Sequence, residues 1–371
     1  MARSILFYTD SRTLGGAEHA LLMLAEALDR GSWQPTLLLE EAPGAERLAE
    51  RAEATGLTVR WIEPLPLGAS GARRLPAAAR FVRGERPDVF HAHLSWPLAA
   101  KYGLAAAVLA RVPAVIATVQ LIPEMRLDRS SFLQLRALSR SVDRYIAVSH
   151  AVARQLVDRF RWPAAKVEVV HNAVDLDRVA AAAPPGLRGE LTGGAERPIV
   201  LTPARLEEQK GHSVLLRAAA AVPDAVFVLA GEGSLREALE AEARELGVAD
   251  RVRFLGERSD IAELLAACDV FALPTLYEGS SLAVLEAMAA RRPVVSSLIG
   301  GTDELIDDGR SGLLVPPGDA DALAAALRRL IADGELRASL AARARERVER
   351  DFTRAAMAAR VSRIYAEALA R

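Results

Sequence analysis

The feature that most constrains the fold is a regular alternation between short apolar runs and longer segments with helical periodicity. The runs lie at residues 5–8, 36–39, 115–118, 145–148, 199–201, 226–229, 252–255 and 270–273. Most of them lack the polar alternation of a half-exposed strand, which predicts strands covered on both faces. The segments between them, such as residues 18–29 and 235–246, are rich in Ala, Leu, Glu and Arg. This alternation predicts right-handed βαβ units and parallel sheets.

One interruption divides the chain. Residues 181–196 contain Pro184-Pro185-Gly186 and Gly193-Gly194 and show no apolar period, which predicts a linker. We therefore expect a Rossmann-like, doubly wound α/β domain on each side of this linker, over residues 1–180 and 197–352. Residues 353–371 predict a C-terminal helix whose docking partner the sequence does not reveal. Because ligands of open α/β sheets bind outside the carboxyl ends of the strands, we expect the two domains to face each other across a ligand cleft.

Charge and composition exclude several classes of protein. The chain has 371 residues, with 47 Lys and Arg against 48 Asp and Glu, so no global field recruits nucleic acid. Cys268 is the single cysteine, which fits a reducing compartment. No secretory signal is visible, and no window reaches the roughly 20 apolar residues of a membrane helix. We expect a cytoplasmic protein that at most rests on the inner membrane surface.

Two glycines follow the first predicted strand, in Gly15-Gly16-Ala17-Glu18. Glycines let the backbone approach a ligand closely, and a helix start offers free N–H groups to an anion. Taken alone, the pattern favours an ordinary strand-to-helix turn.

A second loop, after the first strand of the second half, carries Arg205, Lys210 and Gly211. A planar guanidinium together with an ammonium group suits a diphosphate that must be neutralised. A solvated surface loop would contain the same residue types, so this loop alone leaves both interpretations open.

The most specific pattern follows the strand at 270–273, where Glu278 lies in a Gly/Ser loop and Glu286 on the helix that the loop opens. At about 1.5 Å of rise per residue, the two carboxylates should stand on the order of 10 Å apart. That is too far for a retaining glycosidase pair at about 5–5.5 Å, and it suits two separate groups of one long ligand. The amides of Gly279, Ser280 and Ser281 could hold a phosphate between them.

Together these motifs resemble the retaining glycosyltransferases of the two-Rossmann-domain (GT-B) fold, in the large group 4 class. The likeness spans nearly the whole chain and is carried by Gly15-Gly16-Ala17-Glu18, Ile146-Ala147-Val148-Ser149, Asn172-Ala173-Val174-Asp175, Ala204-Arg205-Leu206 with Lys210-Gly211, Ala230-Gly231-Glu232-Gly233, Phe254-Leu255-Gly256, Glu278 with Glu286, and Gly300-Gly301 with Glu304. The resemblance implies transfer of a sugar from a nucleoside diphosphate sugar to an acceptor hydroxyl, with retention of anomeric configuration. It places that reaction in the synthesis of a cell-surface polysaccharide, glycolipid or glycoconjugate.

The resemblance also implies roles for catalytic residues. Arg205 and Lys210 would hold the donor diphosphate, and Glu278 would contact the donor sugar. These cations and the helix termini would replace a metal ion, so we expect no metal and no cofactor beyond the nucleotide-sugar substrate. Asp175-Leu176-Asp177 matches a metal motif of another glycosyltransferase fold, but beside the linker it is better explained as turn and cap chemistry.

Donor binding is assigned by the same resemblance. Gly16, next to Gly15, would meet the distal phosphate across the cleft. Glu286 would bind the ribose hydroxyls, and the backbone at Leu255 and Gly256 would border the nucleobase.

One departure from the family concerns the strand end at Gln120, where the family usually carries a histidine that meets the transferring sugar. Gln120 can form hydrogen bonds but cannot accept a proton, so it is a candidate sugar or acceptor contact and not a base. His91 and His93 end another strand. We expect them to point to opposite faces, with His93 reaching the cleft and the other becoming a satisfied core imidazole.

The acceptor is open between a glycan, a lipid-linked sugar and a small molecule. Basic residues recur between Arg126 and Lys166, and such a face could rest on anionic lipid, although a solvated helix face explains it too. Three other functions share these features: a non-catalytic nucleotide-sugar binding paralogue, a nucleotide-sugar epimerase, and a two-lobed ligand receptor, which should carry a signal peptide.

Overall fold

The computed structural model describes residues 2–123 and 128–370. They form two compact units. The first comprises the chain up to Ala173 together with the residues from Arg354 onward, and the second comprises Val174–Thr353.

The first unit is built on a parallel sheet in which the described strands follow the order β3-β2-β1-β4-β5-β6-β7. The strands are β1 (Arg3–Thr9), β2 (Trp33–Glu40), β3 (Thr58–Ile62), β4 (Val89–Leu94), β5 (Ala114–Val119), β6 (Arg144–Ala147) and β7 (Val167–Val169). The helices are α1 (Gly16–Ala27), α2 (Glu46–Ala54), α3 (Ala69–Glu85), α4 (Lys101–Ala110), α5 (Arg129–Ser141), α6 (His150–Asp158) and α14 (Arg354–Leu369).

The second unit repeats this plan with the strand order β10-β9-β8-β11-β12-β13, again all parallel. Its strands are β8 (Ile199–Pro203), β9 (Val226–Ala230), β10 (Val252–Gly256), β11 (Val270–Leu273), β12 (Val294–Ser297) and β13 (Leu313–Val315). Its helices are α7 (Leu187–Thr192), α8 (His212–Ala220), α9 (Arg236–Glu245), α10 (Ile261–Ala267), α11 (Leu282–Ala289), α12 (Ala320–Ala332) and α13 (Gly334–Asp351).

Each sheet has apolar clusters on both of its faces. In β9, for example, every residue from Val226 to Ala230 is buried. The prediction of parallel strands covered on both faces is therefore confirmed. In both sheets the strand order reverses beside the first strand, between β1 and β4 and between β8 and β11. These are the positions where open α/β sheets bind ligands.

The unit boundaries differ from the predicted ones. Residues 181–196, predicted as a linker, contain α7, and its Leu187 and Leu191 are buried in a core cluster of the second unit. The division falls at Ala173 and Val174, where the Val174 amide donates to Phe352 O at 3.0 Å. Periodicity did not reveal α7 because it is a short helix between glycine-containing turns.

The C-terminal helix α14 packs on the first unit and buries Met357, Val361 and Ile364 in one of its core clusters. Its Tyr365 hydroxyl lies 2.6 Å from Nδ1 of His91, whose Nε2 lies 2.8 Å from Thr118 Oγ1. The docking partner that the sequence left open is therefore the sheet that contains β4 and β5.

The predicted orientation of the two strand histidines is wrong. The rings of His91 and His93 lie 4.6 Å apart on the same face, because alternate residues of a strand point to the same side of the sheet. His91 is the satisfied core imidazole. His93 is buried too, at 3% exposure, and neither of its ring nitrogens has a hydrogen-bond partner among the described residues.

Candidate active site

The loop after β8 presents two cations at the carboxyl edge of the second sheet. Arg205 is exposed, and within the described residues its guanidinium makes no hydrogen bond or salt bridge. The backbone under it is fixed by His212, whose Nε2 lies 2.9 Å from Arg205 O. Burial lowers the pKa of His212, and the nearby Lys210 charge acts in the same direction. A neutral His212 ring therefore donates this hydrogen bond and holds the Arg205 loop.

Gly211 brings this loop against the loop that follows β11. Its φ is +68°, and a Cβ at this position would lie 2.0 Å from Pro274 O. Only glycine fits this close approach of two backbones. The Leu276 amide donates to Gln209 O at 2.8 Å and closes the same contact.

This contact joins Lys210 to Glu278. Lys210 Nζ lies 2.8 Å from Glu278 Oε2 and 3.2 Å from Oε1, and the two side chains are only 14% and 11% exposed. Gln209 Nε2 and Thr275 Oγ1 also reach Oε2, at 3.3 Å and 3.2 Å. The structure thus unites one cation and one carboxylate that the sequence predicted on separate loops.

Glu286 lies half-buried on α11, the helix that follows the Glu278 loop. Burial raises the pKa of Glu286 to about 7, and the positive charge of Arg178 partly opposes this effect. The helix is capped by Ser281, whose hydroxyl accepts from the Val284 amide at 3.4 Å. A carboxyl group in this setting can exchange its proton near neutral pH.

Two further loops reach the same edge of the sheet. Gly301, with a φ of +104°, lies so close to the preceding loop that a Cβ would meet Gly279 O at 2.5 Å. At the end of β10, Leu255 is half-buried and Gly256 forms a bridge with Gly231. The structure therefore places Leu255 and Gly256 at the carboxyl end of β10, and Gly279, Ser280 and Ser281 in the segment between β11 and α11. Their donor-binding roles stay predictions.

The first unit presents its predicted residues at the carboxyl ends of β1, β4 and β5. The Gly15 amide donates to Glu18 Oε2 at 2.9 Å. Gly16 is the first residue of α1, and the first amides of a helix have no acceptor within the helix. Gln120 Oε1 accepts from Asn172 Nδ2 at 2.9 Å. Gln120 Nε2 is buried and has no partner among the described residues.

Comparison with known proteins decides the family. Residues 14–178 match the family described as Glycosyltransferase Family 4, and residues 188–347 match Glycosyl transferases group 1. Glycogen synthase of Mycobacterium tuberculosis is 33% identical over 300 residues, which cover 76% of this chain and 69% of that protein. The chain belongs to glycosyltransferase family 4.

Another relative and a solved structure agree with this assignment. The lipopolysaccharide core biosynthesis glycosyltransferase LpsE of Rhizobium meliloti is 34% identical over 218 residues, and the match spans 59% of this chain and 62% of LpsE. The structure of Anabaena HepE in complex with UDP and glucose superposes with a TM-score of 0.85 at 26% identity, covering 98% of this chain and 100% of HepE. These matches confirm the predicted GT-B class of two Rossmann-like domains.

Three residues of the candidate site were not predicted, namely Gln209, His212 and Thr275. Each is a common polar residue of a loop or loop edge, so its type carries no signal by itself. The one available hint was position, because Gln209 and His212 flank the Lys210-Gly211 pair.

The basic stretch of the first unit lies partly on α5. Arg129, Arg136 and Arg140 are exposed there, and Leu133 on the same helix is 55% exposed. Arg126 lies outside the described residues. Among the helices of the described part of the chain, none is both long and apolar enough to cross a membrane. Peripheral membrane contact stays a prediction.

No group of three or more His, Cys, Asp or Glu side chains within residues 2–123 and 128–370 is arranged to hold a metal ion. At the Asp-x-Asp sequence near the start of the second unit, the Asp177 amide donates to Asp175 Oδ1 at 3.1 Å. This bond is the turn chemistry expected there.

Proposed function

We propose that the protein is a retaining glycosyltransferase that moves a sugar from a nucleoside diphosphate sugar to an acceptor hydroxyl. The observation that carries the proposal is the Lys210–Glu278 ion pair. It lies between the loops after β8 and β11, where the strand order of the second sheet reverses. The exposed guanidinium of Arg205 belongs to the same loop as Lys210. The UDP and glucose in the similar HepE structure support a nucleotide-sugar donor.

The diphosphate would be neutralised by Arg205 and Lys210. An ammonium group has three donors, and Glu278 accepts at most two of them, so one proton of Lys210 stays available for a phosphate oxygen. The exposed Arg205 fork can bind phosphate oxygens in pairs. Amides of residues 279–281 at the start of α11 add donors for the same anion.

The two ends of the donor would meet the two carboxyl groups. Glu286 accepts hydrogen bonds from the ribose hydroxyls, and Glu278 accepts one from the transferring sugar. Leu255 and Gly256 would border the nucleobase from the end of β10.

In the reaction, the bond between the anomeric carbon and the diphosphate oxygen breaks, and a bond to the acceptor oxygen forms on the same face of the sugar. The acceptor proton passes to the departing phosphate, so no protein base is required and Gln120 is tolerated. Negative charge grows on the diphosphate as the bond breaks. Preorganised donors aimed at such charge contribute about 2.7–4 kcal/mol each. Because Arg205 and Lys210 supply the positive charge, we propose a reaction that needs no metal ion.

Acceptor or sugar contacts in the first unit would include His93 and Gln120. Both carry buried polar atoms without a partner among the described residues, and such atoms favour a hydrogen-bonding ligand. Gly16 would contribute its amide to the distal phosphate. Relatives act in lipopolysaccharide core and glycogen synthesis by name, which supports a polysaccharide, glycolipid or glycoconjugate product.

A donor panel followed by one substitution tests the proposal. UDP-, GDP- and ADP-glucose are compared by thermal shift, since a ligand at about 100 times its Kd adds about 2.7 kcal/mol of stability. With the donor that binds, Lys210→Ala should lower turnover by roughly 10²–10³-fold. Arg329→Ala, an exposed cation on α12, serves as the control.

Wild-type turnover in the Lys210→Ala variant would contradict the assignment. Product analysis separates the alternatives. A binding paralogue yields no transfer, an epimerase leaves the altered sugar on the nucleotide, and a retaining transferase yields a glycoside with the donor's anomeric configuration.

A further inference from the structure

We propose that Gln209 and Thr275 are positioning residues that fix Oε2 of Glu278, Gln209 by donating to it and Thr275 by holding Gln209, so that Oε1 alone faces the donor sugar. This inference rests on the proposed function, because it assigns the two oxygens of the carboxylate that the function requires. Neither residue touches the reacting atoms.

The contacts to the two oxygens are unequal. Oε2 lies 2.8 Å from Lys210 Nζ, 3.3 Å from Gln209 Nε2 and 3.2 Å from Thr275 Oγ1. Oε1 lies 3.2 Å from Lys210 Nζ and has no other hydrogen bond to a described residue. A carboxylate oxygen has two lone pairs, so Lys210 and Gln209 saturate Oε2, whereas Oε1 can still accept from a sugar hydroxyl.

Both positioning residues are themselves held in place. Gln209 is 7% exposed and Thr275 is fully buried. The second amide proton of Gln209 goes to Tyr277 O at 2.9 Å, which leaves the first for Glu278. The Thr275 hydroxyl has one proton and lies 2.9 Å from Gln209 O, against 3.2 Å from both Tyr277 O and Glu278 Oε2, so it donates to Gln209 O. The amide and the hydroxyl thus join the loop after β8 to the loop after β11.

Loss of these donors should affect the sugar more than the diphosphate. Without them the Glu278 carboxylate can rotate on Lys210 and present either oxygen, so the sugar hydroxyl loses a preorganised acceptor. Arg205 and Lys210 remain, and the free nucleoside diphosphate should still bind. A residue with only a structural role would weaken both ligands together.

The test uses Gln209→Met and Thr275→Val, which keep side-chain size and remove the donor, and Thr275→Ser, which restores a hydroxyl. With the nucleotide sugar selected by the donor panel, kcat/KM should fall about 10- to 100-fold in Gln209→Met. In Thr275→Val it should fall by a smaller factor, because Thr275 acts on Glu278 only through Gln209. The Kd of the corresponding free nucleoside diphosphate should change by less than about twofold. Thr275→Ser should remain near wild type.

Gln209→Glu provides a second readout at the same position. It replaces the donor by a like charge beside Glu278, so its loss of kcat/KM should exceed that of Gln209→Met. Thermal unfolding of each variant verifies that it is folded.

Wild-type kcat/KM in folded Gln209→Met would overturn the inference. It would also be overturned if the affinity for the free nucleoside diphosphate fell by the same factor as kcat/KM, or if Gln209→Met and Gln209→Glu were equally active. If wild-type protein bound none of the nucleotides in the panel, the proposed function itself would fail. The two failures are therefore distinguishable.

Discussion

Glu286, a proposed donor-binding residue, has an ionised form that its partly buried position disfavours. Burial raises its pKa from an ordinary value of 4.5 to about 7. The native state therefore holds this proton more tightly than the unfolded state does between these two values. Consequently, the stability that Glu286 contributes is complete below about pH 4.5, declines as the pH rises to about 7, and stays low above that.

For this reason we expect Glu286→Gln to unfold at a higher Tm than wild type at pH 8 and at nearly the same Tm at pH 4. In the same variant, donor KM should rise, because a neutral amide is a weaker acceptor for ribose hydroxyls than a carboxylate. Calorimetry across this pH range and donor titrations at pH 8 measure the two effects. A Tm difference that did not grow with pH would show that the raised pKa of Glu286 is not a feature of the native state.

How much of the site was predictable from sequence depends on what each residue's type reveals. Arg205, Lys210, Glu278 and Glu286 could be proposed because their spacing after two predicted strands resembles the charge pattern of the family. Their contacts could not, because they depend on β8 lying beside β11, and these strands are separated in the chain by β9 and β10. The selection of Glu278 Oε2 by Gln209 follows only from distances.

At the scale of elements, the apolar runs predicted most of the strands, including β10 at a sheet edge, and missed the edge strands β3, β7 and β13. In β3 and β7 most residues are half-exposed or exposed, and β13 has only three residues. An edge strand is paired on one side only and needs less apolar surface, so it leaves a weaker pattern in the sequence. The docking of α14 was unpredictable for a different reason, since its apolar packing and its Tyr365–His91 hydrogen bond join residues that are distant in the sequence.

This hydrogen bond can be tested by Tyr365→Phe. The variant leaves a buried nitrogen of His91 without its partner, which should cost about 1–3 kcal/mol of unfolding free energy. Tyr102→Phe is the matched control, because its hydroxyl donates to Gly68 O at an exposed position and its loss should cost under about 0.5 kcal/mol. Chemical denaturation measures both variants. Equal effects of the two substitutions would mean that the Tyr365–His91 bond does not anchor α14.

For the molecule as a whole, the described residues form two units with separate apolar clusters. A ligand stabilises the structure that it binds, and sub-global opening follows such structural units. The predicted donor contacts of Arg205, Lys210 and Glu286 all lie in the second unit.

Hydrogen exchange should therefore show which unit responds to the nucleotide. We expect the free diphosphate to slow exchange in the loops after β8 and β11 and in α11, and to leave exchange in α14 and β4 nearly unchanged. Mass spectrometry of peptides from the full chain, with and without the nucleotide, measures this. Equal protection of α14 would indicate that both units open together.

The discontinuity of the first unit has a consequence for biosynthesis. On the ribosome its sheet emerges early, but the helix that carries Tyr365 is translated only after the whole of Val174–Thr353. The second unit can therefore finish folding while the first still exposes the apolar surface that α14 will cover. We expect the nascent chain to be most vulnerable to aggregation and proteolysis during that interval. The second unit, although translated later, would then complete its fold before the first.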